Sequence, residues 1–544
     1  MALIAGPCLE RPDIDGATLS RAFWWRRAVA YAAVYALLTA IVLFPIMMVK
    51  APGLVDYPNH LARMYILSHY DQSDALRRFY EIHWRPFPYL AMDATFLLLS
   101  RVAPIYDAGR LYVGLCVLLP VASVAALHFT IHRRPSLVPA AAFLLSYNAL
   151  LFWGFLNYLP VLCLAVIVFA GWVRSAHWPR WRRFVVFSIL ALVLYLGHLV
   201  AFGAYCLLVL CFEALRAFKA GVQAWRTIVA DWLFAALQAA PAVILALSTT
   251  IEHPFVGPAK TDFGTVFDKF KALFSPILFS AWQADMLCGL VALVVFAFGR
   301  LTGRLTLAPE LSPIFVVVGA GSLCVPLWLL GVFGMDFRLP LLSAILLLSS
   351  ISATERASAF FKASIVCFVV LATSARSALI AGQLQDADKQ IAELRQVLGA
   401  MPKGMRLLTV EDSQHRRLSA THVTFHAPLV AVIDRDAFAP TLFTDIMPVK
   451  PRPEFKMLST PNGYPYPKLA DLIDGRGVED PTGEVPSGLG GRVYWLGWER
   501  HFDYVLAIHY GTHPAKLPEN LRLIASADVA DLYAIDKSDE RRLH

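Results

Sequence analysis

Residues 89–103 read YLAMDATFLLLSRVA, and whether this stretch crosses a bilayer decides the sidedness of everything after it. It is apolar but has only 15 residues, interrupted by Asp93. A helix of that length covers about 22 Å of a hydrocarbon core about 30 Å thick. Charge supplies the second test. Laid along the membrane surface, the segment leaves Arg11, Arg21, Arg26 and Arg27 on the inner side, ahead of the first span. The clusters Arg133/Arg134, Arg174/Arg180/Arg182/Arg183, Arg216/Lys219/Arg226, Arg300/Arg304 and Arg356/Lys362 then fall inside as well, and the short outer turns keep only Arg338. Counted as a crossing, it would turn those clusters outward, against the excess of Lys and Arg in cytoplasmic loops. We read it as an interfacial helix.

Working outward from that decision, eleven spans are expected, near 25–49, 107–131, 136–152, 157–174, 182–198, 200–217, 227–247, 285–300, 313–333, 339–354 and 358–375. The N-terminus then lies inside and the C-terminus outside. Composition agrees: the 544 residues are 58% hydrophobic and 16% charged, against about 25% charged in soluble domains. The predicted class is a polytopic α-helical membrane protein. Its net charge of +8 sits between the apolar blocks, where it orients helices, so no nucleic-acid partner is expected. Segment 25–49 is too long for a cleavable signal and remains as the first span. Seven of the eight cysteines lie in or beside apolar segments and the tail has none, which excludes a disulfide framework.

This reading divides the chain into a transmembrane module, 1–378, and an outer soluble α/β domain, 379–544. The module has two long outer loops, 50–106 and 248–284, the second containing FDKFKALF as an amphipathic turn. The tail opens with a helical pattern, IAGQLQDADKQIAELRQVLGAM. Four β-leaning runs follow, MRLLTV, PLVAVID, FDYVLAIHY and DLYAID. No internal repeat of fixed period is present.

The chemistry-bearing residues gather in the outer segments. PGLVDYPNHLARMYIL places Asp56 just past the membrane edge, with His60 and Arg63 on one face of a helix that Pro58 can begin. EIHWRPFPYL adds His83 and Arg85 ahead of the interfacial helix. FWGFLNYLP presents Asn157, YLGHLVAFG presents His198 at an outer turn, and GMDFRLP presents Asp336 and Arg338. Polar groups near membrane depth are expensive unless they find partners or serve a site. The pairs His422/His426 and His509/His513 have metal-like spacing only on a helix, whereas their surroundings lean towards strand, so no metal site is assigned.

The order of these parts resembles the GT-C superfamily of membrane glycosyltransferases, which take sugars from polyprenyl-phosphate carriers. It is most similar to the lipid A aminoarabinose transferases and protein O-mannosyltransferases, over residues 25–220. The resemblance implies that Asp56 is the catalytic acid of the first outer loop, and that Arg85-Pro86 stands where a lysine-proline serves donor phosphate. Asn157 stands where a second acid is usual. Tyr57 follows Asp56 where the family often repeats the acid, so a divalent metal has no paired-acid motif to hold it and no cofactor is assigned.

Arg63, Arg85 and Arg338 suit a phosphate through their planar, permanently charged forks. His60, His83, Asn157 and His198 are the expected substrate contacts. The expected partners are a polyprenyl-phosphate-linked sugar, an envelope acceptor (lipid, glycan or protein) and membrane lipids, in a bacterial inner membrane. The rival is a non-catalytic protein of lipid or polysaccharide transport or assembly. Transport would favour broken helices with mid-span charges in two related halves, whereas here the polar residues collect at one face.

This topology makes a direct prediction. In a cysteine-free background, an impermeant thiol reagent applied from outside should label cysteines introduced near 75 and 265 and spare those near 133 and 180. The opposite pattern would overturn it.

Overall fold

The computed structural model describes residues 21–221, 225–248, 261–277, 282–330, 332–411, 423–444, 447–460, 466–474, 494–509, 514 and 516–537. Among them, 7 helices are long and apolar enough to cross a membrane: Ala28–Met47, Ile105–His132, Leu159–His177, Leu199–Ala220, Trp225–Ser248, Trp282–Leu301 and Ala359–Leu398. The chain is thus a multi-pass helical protein of membrane type. These helices coincide with seven of the expected spans, and the other four are short, broken or strongly charged. Segment 136–152 is a 3-10 run, Val138–Leu145, and a short helix, Ala149–Trp153. They are separated where Asn148 turns extended and caps the second piece through Leu151 N–H. Helix Arg180–Gly197 has 18 residues but opens with Arg180, Arg182 and Arg183. Helix Ser312–Cys324 stops because Val325 precedes Pro326 and is pushed into extended backbone. Helix Arg338–Ser350 ends as the chain enters strand Ile351–Ala353, which pairs antiparallel with Leu305–Leu307.

Segments expected on one side of the bilayer do meet one another. Arg180 reaches Asp231 at 3.0 Å and Arg216 reaches the same carboxylate at 3.8 Å, all at the end assigned to the inside. At the other end the Ala149 N–H donates to Ser275 O at 2.9 Å, and Lys269 pairs with Asp336 at 2.9 Å. FDKFKALF lies in helix Val266–Phe274, started by a Thr265–Asp268 capping box. The awkward stretch 89–103 forms a helix of 10 residues, Leu90–Leu99, too short to cross.

The expected module boundary at 378 falls inside one continuous helix of 40 residues, Ala359–Leu398, about 60 Å long. Its polar half receives the start of the first outer loop, where Asp388 accepts from the N–H groups of Lys50 and Ala51. Gly53 crosses so close that a side chain there would lie 2.3 Å from the Ala387 Cβ. Beyond the helix, strands Leu407–Glu411, Tyr504–Ile508, Ala530–Ile535 and Leu521–Ser526 form one sheet in that spatial order. The first pair is parallel and the others antiparallel. Three of the expected β runs are strands. The fourth, PLVAVID, is instead a 3-10 turn, Ala427–Leu429, continuing into helix Val430–Arg435. Its apolar side chains are buried on all sides, which erases the periodicity that separates strand from helix.

The tail is not a detached domain. Strand Tyr80–Ile82 of the first outer loop pairs antiparallel with Val449–Pro451 of the tail. Tyr65 donates to Asp436 at 2.7 Å, while Tyr106 and Arg395 both bind Asp434, at 3.1 and 2.6 Å. The loop 50–106 is therefore held between bundle and tail. Within it, Arg63 of helix Tyr57–His69 pairs with Asp93 of helix Leu90–Leu99 at 2.9 Å, with both side chains fully buried.

Removing one member of that pair strands a buried charge. Arg63→Leu or Asp93→Leu alone should cost about 3–5 kcal/mol, and the double replacement should recover most of it, read as melting temperatures of the purified proteins. Equal, additive losses would mean that the pair carries no mutual stabilisation.

Candidate functional site

Asp56 stands at the start of helix Tyr57–His69, whose first turn carries Pro58. Its side chain makes no capping bond, so the carboxylate is not occupied by the helix end. Its backbone is pinned from below: the Val55 N–H donates to Phe152 O at 2.9 Å and the Asp56 N–H to Trp153 O at 3.3 Å. The turn it rests on passes through Gly154 at φ +82°, where any Cβ would lie 2.6 Å from the Asp56 nitrogen. Only glycine fits there. The Asp56 side chain keeps 20% of its surface exposed, yet burial pushes its pKa up to about 8.

Two imidazoles flank it. His426, from the tail, places Nε2 3.6 Å from Oδ1 of Asp56. His60 is buried on the same helix and lies edge-on to Phe443, with ring centroids 5.6 Å apart. Burial holds both well below the ordinary histidine range, and Arg63 and His426 depress His60 further. Both rings are neutral at physiological pH.

On the other flank of the same turn sits Arg338. Its guanidinium lies over the rings of Phe155 and Tyr158, 5.1 and 5.3 Å from their centroids, and touches the Met335 sulfur. It is 6% exposed and its Nε has no hydrogen-bond partner among the described residues. The neighbouring carboxylate of Asp336 is taken by Lys269. His198 packs edge-on to Tyr89 and Tyr158, at 4.5 and 5.0 Å, and accepts from the Val200 N–H through Nδ1. Tyr89 holds φ +90°, a left-handed conformation that a bulky residue rarely adopts, fixed by its N–H donating to Gly197 O. The result is a buried cation in an aromatic wall, one turn away from a carboxyl that titrates near neutrality.

The expected residues separate into groups. Asp56, His60, Arg338, His198 and Asn157 lie on or beside the Trp153–Tyr158 turn, with Asn157 half-buried within it. Arg63 is not available to a phosphate, because Asp93 holds it in the interior. His83 and Arg85 are exposed on the loop that leads to Tyr89, where His83 pairs with Glu81 at 2.8 Å and its N–H donates to Pro448 O. Asp336 is fully buried against Lys269. Three residues escaped the sequence reading: Asn59, Tyr89 and His426. His426 was visible only as half of the His422/His426 pair, and His422 lies outside the described residues, as does His513. His509 is buried 3.4 Å from Asp531. Among the described residues no three His, Cys, Asp or Glu side chains converge to hold a metal. No family model matches the chain, and no curated protein matches it.

The raised Asp56 pKa carries a signed consequence. Between the ordinary carboxylate range and about pH 8 the folded chain keeps a proton that the unfolded chain has lost. Stability therefore falls as pH rises through that window and levels off above it. Asp56→Asn removes the titration, so its melting temperature should gain on that of the parent steadily from pH 5 to pH 8. A difference that stays constant across this range would contradict the assignment.

Proposed function

We propose that the chain is a GT-C-type membrane glycosyltransferase that moves a sugar from a polyprenyl-phosphate donor to an envelope acceptor at the outer face of a bacterial inner membrane. The observation that carries the reading is the pairing, across one turn, of a carboxyl pushed up to about 8 with a buried guanidinium that has no carboxylate partner among the described residues. A lipid-linked sugar phosphate brings its reacting bond to headgroup depth, and an enzyme acting on it needs a base for the acceptor and a cation for the departing phosphate at that level.

In this reading Asp56 takes the proton of an acceptor hydroxyl as its oxygen attacks the anomeric carbon. A base that titrates near the working pH combines availability with strength. The bond from the anomeric carbon to the phosphate oxygen breaks, and the negative charge that develops on the polyprenyl phosphate is met by Arg338, with Arg85 at the exposed entrance. A single carboxylate with no covalent partner implies one displacement and inversion at that carbon. Tyr89 and Phe155, both partly exposed, supply flat apolar faces on which a sugar ring can stack, with the buried Tyr158 backing Arg338. Asn157 and His198 lie beside them as hydrogen-bonding contacts. Arg63 is left out of donor binding, since its role is to seat the helix that carries Asp56.

Transfer from a polyprenyl-phosphate sugar should vanish in Asp56→Asn while the protein still folds. Arg338→Ala removes a charged partner of the phosphate, a loss of about 2–5 kcal/mol, so the donor KM should rise at least tenfold, with Arg338→Lys rescuing only in part. Full activity in the Asp56 variant would end this mechanism, and loss in Asp336→Asn alone would move the base to that turn.

A further inference from the structure

The side chain that faces Asp56 from the tail is held in a defined proton arrangement. Asn59, three residues after Asp56, makes two bonds that fix its amide. Its Oδ1 accepts from the Phe443 N–H at 2.8 Å, and its Nδ2 donates to Thr441 O at 2.9 Å. A backbone N–H can only donate and a carbonyl can only accept, so the amide cannot be flipped. The Nδ2 has one hydrogen left, and the atom beside it is Nδ1 of His426 at 3.5 Å. Nδ1 must therefore offer its lone pair. In a neutral imidazole the proton then resides on Nε2, the nitrogen that faces Oδ1 of Asp56 at 3.6 Å.

We propose that His426 is a positioning residue for the Asp56 carboxylate, locked by Asn59 as the Nε2–H tautomer so that it directs an N–H at the carboxyl oxygen. The inference deepens the proposed function and rests on it only where Asp56 is taken as the base. Burial keeps the imidazole uncharged, holding its pKa to about 3, so His426 acts as a fixed donor and not as a second titrating base. The N–H favours the ionised carboxylate, orients one oxygen, and leaves the other for the acceptor hydroxyl. Other groups near Asp56 do not supply this. His60 is neutral and packed on Phe443, Arg63 is bound to Asp93, and Trp153 contributes a carbonyl already used by the Asp56 backbone. Because His426, Thr441 and Phe443 all belong to the tail, the site is complete only when the tail is seated on the first outer loop. Sugar transfer would then be coupled to tail docking.

The test uses the full chain in liposomes and needs no turnover. Solid-state spectra of 15N-histidine-labelled protein should show a neutral Nε2–H ring for His426, identified by the signal missing in His426→Gln. A neutral Nδ1–H ring there would overturn the proposal. In infrared titration, the carboxyl band that Asp56→Asn removes should shift upward by roughly one pH unit in His426→Ala and return close to the parent value in His426→Gln, whose amide can again donate. An unshifted band in folded His426→Ala would overturn the proposal, and if that variant does not fold the tautomer of the parent protein still decides. Should the protein transfer no sugar, the glycosyltransferase reading fails while these two spectra still report on the His426–Asp56 pair.

Discussion

Two backbone hydrogen bonds, from Val55 to Phe152 and from Asp56 to Trp153, hold Asp56 against a turn of the bundle. The rest of the site depends on them. They bring the loop so near that residue 154 has to be glycine in a left-handed conformation. They also put Asp56 on one side of a turn whose other side, through Phe155 and Tyr158, shelters Arg338. A carboxyl and a guanidinium far apart in sequence thus share one rigid support without neutralising each other. Had they paired directly, the carboxyl would have been stabilised as an anion and driven to low pKa, and the cation would have been neutralised.

The charges that do pair are structural. Arg63 with Asp93 is fully buried, and Asp336 is buried against a partly exposed Lys269, so each pair ties a loop segment to its neighbour. Isolated charges would be prohibitive there, whereas matched pairs are tolerated and resist rearrangement. Around them the tail closes the first loop through strand Val449–Pro451, the Asp434 and Asp436 carboxylates, and the Asn59 network. The loop 50–106 is consequently a middle layer between helical bundle and tail, a position that accounts for its fully buried Arg63 and Asp93.

Much of this was legible in the residues, because hydrophobic length and arginine distribution are local properties. The seven long apolar helices, the shortness of the helix in 89–103 and the role of Pro58 in starting the helix after Asp56 follow from them. What escaped depends on contacts between distant segments. Nothing local in YLAMDATFLLLSRVA tells that Asp93 will meet Arg63, so three arginines were assigned to phosphate where one is committed to the interior. PLVAVID carries the residues of a strand, but burial on all sides hides its periodicity, and from Pro428 the chain turns into a helix. His426 was read as a poor metal ligand because its sequence neighbours suggest nothing else, and only the fold brings it to Asp56. Two of the other expected spans contain shorter helices for local reasons that hydropathy averages away, the extended residue before Pro326 and the cap at Asn148.

The central claim is that a lipid-linked phosphate is received beside the Trp153–Tyr158 turn. The most direct measurement is a structure of the purified full-length protein with a polyprenyl phosphate bound in a lipid environment. Phosphate density is expected within hydrogen-bonding distance of the Arg338 guanidinium, on the side of the turn opposite Asp56, with the acyl chain leaving between the apolar helices. Density for the headgroup at the other end of the bundle, among Arg180, Arg182 and Arg216, with the Arg338 cluster empty, would contradict it.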